Sequence, residues 1–299
     1  ARSAQLIAAE KRRPRRWLRW LRWLRWLLLL ALLGAALLAK GYWNATRDPL
    51  IRSASVEVDD WPAGQAPLKI LLLSDIHVAG PDMPPERLER IVGDLNRLKP
   101  DLILIAGDLV SEKRSATHIY TPAEVVAPLG GLRAPLGVVV APGNHDHWFR
   151  PDALRGELEK RGLSVLQNDA IKLGPLIVGG VDDDYSGHDD VPATLAAMDR
   201  RGAGVPLLLT HSPDVVPDLP RPVAAVFAGH THCGQIRFPF VGALTYVSRY
   251  GDRFACGDIA DEGQRVFVGA GLGTSILPLR FNTPPDAWLI TLKPKAAAR

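Results

Sequence analysis

Five short polar clusters hold the residues of this chain that could do chemistry. They are Ser74-Asp75-Ile76-His77, Gly107-Asp108, Gly143-Asn144-His145-Asp146, Thr210-His211 and Gly229-His230-Thr231-His232. Carboxylate, amide oxygen and imidazole form a donor set for Mn²⁺, Fe or Zn²⁺, and no thiol is needed to complete it. Hydrolysis across two such ions would need one carboxylate shared between them, so that both sit within about 4 Å. Taken singly, most of the clusters read blandly. Asp-x-His is common, although in extended backbone its two side chains share a face. Gly-Asp is an ordinary strand-to-turn junction, Asn and Asp favour turns, and a lone His211 reads as a structural histidine. Gly-His-Thr-His resists that treatment because histidine is scarce: five of the eight in the chain (His77, His145, His211, His230, His232) fall in these clusters.

Each cluster follows an apolar run that predicts a strand. Strands are expected at Leu68–Leu73, Leu102–Ala106, Gly137–Ala141, Leu176–Gly180, Pro206–Leu209, Ala224–Phe227, Arg265–Val268 and Ala287–Leu292. After Pro84-Pro85, the residues Leu88, Ile91, Val92, Leu95 and Leu98 keep helical spacing, and 151–161 and 191–201 also read as helices. Alternating strands and helices point to an α/β fold. In open α/β sheets ligands bind beyond the carboxyl ends of the strands. The clusters would therefore converge on one edge, with glycines at 107, 143 and 229 permitting the tight turns.

In this order, the motifs resemble the signature of the calcineurin-like metallophosphoesterases. The resemblance runs from about Leu68 to Leu292. Gly234-Gln235, the stretch Val268 to Thr274 and Pro278-Leu279-Arg280-Phe281 are similar to a bacterial membrane-associated branch of that family. That branch contains phosphodiesterases and some UDP-2,3-diacylglucosamine pyrophosphatases. Cys233 stands where the branch often has glycine. The resemblance implies a four-layer α-β-β-α sandwich and two divalent cations per chain, Mn²⁺ first, with Zn²⁺ or Fe as alternatives. It implies one metal held by Asp75, His77, Asp108 and His232, and a second held by Asp108, Asn144, His211 and His230. Asp108 would bridge, and His145 would be the catalytic residue beside the substrate phosphate. The reaction implied is in-line attack on phosphorus by a metal-activated hydroxide, most simply on a phosphodiester.

Other residues carry weaker readings. Asp146 could orient His145. Asp182-Asp183-Asp184 reads as a solvated acidic loop, Arg280 as a structural arginine or a phosphate contact, and His118 and His188 as surface residues. Three functions compete: hydrolysis of an extracytoplasmic phosphoester, cleavage of a lipid-nucleotide pyrophosphate at a membrane surface, and a non-catalytic module with a relic site. The complete ligand set argues against the third.

The net charge of +4 hides a division. Residues 1–25 hold nine Lys or Arg and one acid, which leaves 27 basic and 31 acidic residues over 26–299, a net of −4. No basic patch suggests nucleic acid, and the basic tail suits an anionic membrane surface. The uninterrupted apolar run Trp26–Ala39 is short for a bilayer, but Trp23–Trp43 gives about 21 residues and roughly 31 Å of helix. Trp23 and Trp26, and Tyr42 and Trp43, would then form belts at the two interfaces. A cleavable signal peptide also has a basic and an apolar region, but Leu37 lies where a small residue should precede the cut. The expected layout is a basic cytoplasmic tail (1–22), a transmembrane signal anchor (23–43), a linker (44–66) and a metallophosphoesterase domain (67–294) facing the periplasm. Its expected partners are the membrane and a phosphoester substrate, with a lipid-linked ester among the candidates. Cys233 and Cys256 could pair in an oxidising compartment or stay as two separate thiols.

Overall fold

Alternation within the apolar runs sorts their side chains into layers. The computed structural model describes residues 15–295, and the chain divides into two units between Gly41 and Tyr42. The expected basic tail lies outside the described residues over 1–14. The first unit consists of most of helix α1 (Arg15–Thr46). Its 28-residue stretch Arg19–Thr46 is the one helix among the described residues long and apolar enough to cross a membrane.

The second unit begins with β1 (Leu50–Val58), β2 (Leu68–Ser74), α2 (Pro85–Asn96), β3 (Leu102–Ala106), α3 (Pro122–Val126) and β4 (Val138–Ala141). It continues through α4 (Asn144–Trp148), α5 (Pro151–Lys160), β5 (Ser164–Val165), β6 (Asp169–Leu173), β7 (Leu176–Gly180), α6 (Val191–Arg200) and β8 (Val205–Leu209). It closes with β9 (Ala225–Ala228), β10 (Arg237–Phe238), β11 (Gly242–Ala243), β12 (Gly257–Asp261), β13 (Gln264–Val268) and β14 (Asp286–Pro294). Two six-stranded sheets result, ordered β1-β14-β2-β3-β4-β5 and β12-β13-β9-β8-β7-β6.

Ile70, Leu72, Leu104 and Val139 of the first sheet meet Val178, Leu207, Phe227 and Phe267 of the second in one buried layer. Their neighbours Leu71, Leu73, Ile103, Ile105 and Val140 face the opposite way, against Leu88, Ile91 and Leu95 of α2, Val125 of α3 and Leu154 of α5. On the second sheet's far face, Leu208, Val226 and Val268 pack under Leu195 and Met198 of α6. Strands covered on both faces read as continuous apolar runs, which is why β2, β3, β8 and β9 are legible in sequence. The four layers are those expected.

The stretch 44–66, read from sequence as a linker, carries β1, which runs parallel to β14 from Leu50 opposite Asp286 to Val58 opposite Pro294. It escapes notice because it is an edge strand: of its nine residues only Val56 and Val58 are buried, and Arg52, Ser53, Ser55 and Glu57 interrupt the apolar pattern. Strands β2, β3 and β4 are mutually parallel, as are β7, β8, β9 and β13. Each set carries its carboxyl ends, and the polar clusters that follow them, to one edge.

Candidate metal centre

The loops after β2 and β3 are laced together, with the amides of Asp75, His77 and Val78 donating to the carbonyls of Gly107, Asp108 and Leu109 at 2.8–3.0 Å. Asp75 then reaches across to the second sheet, where both carboxylate oxygens accept from the His230 amide at 3.0 and 3.1 Å. Asp108 Oδ1 accepts from the His145 amide at 2.9 Å. Backbone donors thus fix one side of each carboxylate and leave Asp108 Oδ2 for the site. Two close approaches require glycine. A Cβ on Gly229 would stand 2.5 Å from Asp75 Oδ2, and one on Gly143 would strike Asp108 Oδ1. Asp75, His77, Asp108, His230 and His232 all have φ between 47° and 69°. Left-handed backbone costs a non-glycine residue roughly 1–2 kcal/mol, and its concentration in five of the seven proposed ligands marks a functional site.

All seven proposed ligands are buried. His232 Nε2 lies 3.1 Å from His77 Nε2 and 3.3 Å from Asp75 Oδ1. Asp108 Oδ2 lies 3.5 Å from His77 Nε2 and 3.3 Å from His211 Nε2. His211 Nε2 is in turn 3.2 Å from Asn144 Oδ1 and 3.1 Å from His230 Nδ1. Two clusters therefore adjoin at Asp108, and ligand atoms of Asp75, Asp108 and His211 also lie within 4.8 Å of one another. The Nδ1 atoms of His77 and His211 donate to the carbonyls of Val110 (3.2 Å) and Ala106 (2.8 Å). Their Nε2 atoms consequently present lone pairs toward further acceptors, an arrangement that a cation satisfies. Burial together with neighbouring Asp108 holds Asp75 up at about 6. Burial alone would depress His211, yet Asp108 holds it well above the usual imidazole range. Burial, reinforced by the nearby His211 charge, pushes His230 down to about 3. Buried carboxylates and imidazoles fit divalent cations, whose binding would displace the proton that Asp108 holds on His211, and these residues could hold two.

His145 differs from the seven. It is half-buried, and its Nδ1 is committed to Glu112, 2.9 and 3.0 Å from the two carboxylate oxygens. Its ring stands 4.9 Å from that of His77, and ligand-type atoms of His77, Asp108 and His145 lie within 4.8 Å of one another. The Glu112 partnership is what sets it apart. Glu112 has no signal in the sequence, since it stands four residues beyond Asp108 in no motif. Asp146 does not orient His145: its oxygens accept from the amides of Leu109 (2.8 Å), Val110 (3.3 Å) and Gly143 (3.0 Å), locking the β3 loop to the β4 loop.

One further reading is corrected, and the two readings of Arg280 are separated. Asp182 and Asp183 are buried, not solvated; Asp182 takes His147 Nε2 at 2.6 Å and Gln167, and Asp183 takes Ser186. Arg280 is fully buried and donates to the carbonyls of Ala270, Gly271, Gly273 and Thr283, which makes it a brace for the glycine-rich loop. Lys113, equally hidden, bonds Asp82 at 2.6 Å and Thr274 at 2.9 Å. His118 and His188 are exposed, as read. Cys233 and Cys256 form a disulfide with Cα atoms 4.7 Å apart. Because Cys233 follows His232, the pair ties residues 233–256 to the ligand loop.

Comparison with known proteins agrees with this geometry. Residues 68–234 match the family model of the calcineurin-like phosphoesterases. A transmembrane protein with metallophosphoesterase domain from Danio rerio is 31% identical over 287 residues, covering 88% of this chain and 61% of its own length. The metallophosphoesterase YkuE of Bacillus subtilis is 31% identical over 239 residues, covering 78% of this chain and 81% of its own. A metallophosphoesterase of Helicobacter pylori (strain J99) is 29% identical over 265 residues, covering 87% and 68%. This chain spans less than two thirds of the zebrafish protein. The matched motifs include the buried Asp, His and Asn donors described above, and the chain belongs to the calcineurin-like phosphoesterase family of metal-dependent phosphoester hydrolases.

Proposed function

We propose that the chain is a membrane-anchored phosphodiesterase whose catalytic domain faces the periplasm and uses two Mn²⁺ ions. Asp75, His77, Asp108 and His232 would hold one ion, and Asp108, Asn144, His211 and His230 the other. Bound cations of this kind supply a nucleophile from water at neutral pH and neutralise the phosphoryl oxygens. The protein's own part is to place the phosphorus and to move a proton. His145, held at Nδ1 by Glu112, keeps Nε2 for the leaving oxygen and protonates it as the bond breaks.

The observation that supports a diester is where the buried side-chain cations around the site are spent. Arg280 and Lys113, the buried cations around the ligand loops, are both spent on protein acceptors. A monoester dianion calls for further cationic contacts, whereas a diester monoanion is matched by two metal ions alone. The same shortage weighs against a lipid-nucleotide pyrophosphate, which brings two phosphates. The paired cysteines suit an oxidising, extracytoplasmic compartment.

The test is the ratio of kcat/KM for bis(p-nitrophenyl) phosphate and p-nitrophenyl phosphate in the Mn²⁺-loaded full chain. A clear preference for the diester is expected. A preference for the monoester, or for a lipid pyrophosphate over both, would displace this reading.

A further inference from the structure

Beyond the metal centre, the second unit exposes one concentrated set of apolar side chains. Strands β10 and β11 pair as a short hairpin, Arg237 opposite Ala243 and Phe238 opposite Gly242. Its connection carries Phe240 and Val241, the first fully exposed and the second 77% exposed, with Phe238 and Leu244 exposed beside them. Ile276 and Leu277 are exposed in the neighbouring loop, 73% and 44%, and Gln235 Nε2 fastens that loop to the hairpin base through the carbonyls of Leu277 and Leu279 at 3.0 and 3.1 Å. Soluble surfaces scatter single apolar residues and seldom gather them like this.

Composition says what covers the patch. No acidic residue occurs from Gly234 to Gly251 or from Ser275 to Pro285. Arg237 lies over the Tyr246 ring at 6.0 Å, and Arg249 and Tyr250 follow. Apolar tips with Arg and Tyr behind them and no acids are the make-up of a bilayer interface. Position agrees. Arg237 donates its amide to the Phe281 carbonyl at 3.0 Å, and Asn282 returns a bond to the Arg237 carbonyl at 2.7 Å. The next residue in that strap, Arg280, receives Asn44 Nδ2 on its carbonyl at 3.2 Å. Asn44 immediately follows Tyr42 and Trp43, the aromatic pair at the end of the proposed span. The hairpin base and the point where the chain would leave the bilayer thus share one hydrogen-bonded strap within the second unit.

We infer that the hairpin Arg237–Leu244, with Ile276 and Leu277, enters the acyl region of the bilayer as a second membrane contact. This rests on reading Trp23–Trp43 as a span. The hairpin starts five residues after His232, and the Cys233–Cys256 pair staples its base. A bilayer contact there would hold the metal centre at headgroup depth, where a lipid-borne phosphoester could reach it.

The experiment uses the full chain, one copy per nanodisc of phosphatidylcholine and phosphatidylglycerol, with part of the lipid carrying an acyl-chain nitroxide. The native cysteines are paired, so an environment-sensitive fluorophore can be placed singly by Phe240→Cys, Leu33→Cys and Lys160→Cys. Quenching at positions 33 and 240 should exceed that at 160 by roughly twofold or more, as for side chains buried in the acyl boundary. Quenching at 33 but not at 240 would overturn the hairpin contact and leave the anchor standing. Absence of quenching at both would overturn both. A label at 240 shielded from the nitroxide and from aqueous iodide would mean that protein covers the hairpin, which also sinks the inference. If Phe240→Cys fails to retain metal, Val241→Cys repeats the measurement.

Discussion

At the scale of single residues, Asp108 and His145 carry different predictions because their surroundings differ. Asp108 Oδ2 lies 3.5 Å from His77 and 3.3 Å from His211, so it touches both clusters directly, whereas the shortest imidazole contact of Asp75 is to His232 at 3.3 Å, with Asp108 and His211 farther out, within 4.8 Å. Asp108→Asn should weaken both ions by more than the ~10–100-fold that outer partners cost, and Asp75→Asn should weaken mainly one. Metal titration separates them, and an Asp108→Asn protein that kept both ions would refute the bridge. His145→Ala should keep both ions and lower kcat by about 10²–10⁴-fold, most for esters with poor leaving groups. Loss of an ion would make it a ligand instead. Burial alone would depress His145, but the hydrogen bond its Nδ1–H donates to Glu112 and the charge of Asp108 raise it above the usual imidazole value. A general acid works only while protonated, so activity should persist below that raised pKa and fall as pH climbs through it. Glu112→Gln removes the raising partner and should move the alkaline limb of the kcat profile to lower pH, with metal content unchanged.

At the scale of elements, the site was more legible than the scaffold that positions it. Buried strands announce themselves by unbroken runs such as Leu71-Leu72-Leu73 and Leu207-Leu208-Leu209, and the polar clusters follow them. Edge strands do not: β1 alternates with serine, arginine and glutamate, and β12 carries Asp258 and Asp261. The clusters that hold the seven proposed ligands stood out because five of the eight histidines fall in them, and the family resemblance supplied the assignment. Glu112 did not stand out, because its role depends on a contact with His145, 33 residues away in another loop. Backbone proximity was only partly readable. Gly229 stood out as a turn residue, yet its real constraint is the Asp75 carboxylate from the other sheet, 2.5 Å from where a Cβ would sit. Gly229→Ala should therefore displace a ligand from a position distant in sequence. Expected are a fall in metal occupancy and a lower Tm in the metal-loaded protein, with the secondary structure preserved by circular dichroism. Unchanged occupancy would show that the two sheets can part there without cost.

At the scale of the whole molecule, the division of the chain predicts where it can be cut. Helix α1 exposes Trp20, Trp23, Leu24, Trp26, Leu27 and further leucines beyond, surface that water does not tolerate and a bilayer would cover. The second unit begins at Tyr42. Inside it the Tyr42 hydroxyl donates to the Pro81 carbonyl at 3.2 Å, Asn44 to that of Arg280 at 3.2 Å, and Arg87 to that of Arg47 at 2.8 Å, while Ala45 is fully buried. A chain starting at Tyr42 should therefore be monodisperse without detergent, bind metal like the full chain, and match its kcat on a soluble diester. A chain starting at Leu68 tests the reading of 44–66 as a linker. It would lose β1, leave the β14 edge unpaired from Asp286 to Pro294, strip Asp286 of its Arg52 partner, and uncover the pocket of Val56 and Val58, each worth roughly 1.5–3 kcal/mol when buried. Aggregation, or a Tm well below that of the Tyr42 chain, is expected, since a bare nine-residue edge also invites intermolecular pairing. Equal stability of the two chains would make β1 dispensable. Aggregation or metal loss in the longer one would show that α1 is needed to complete the fold of the second unit, and that its apolar surface serves the protein before it serves the membrane.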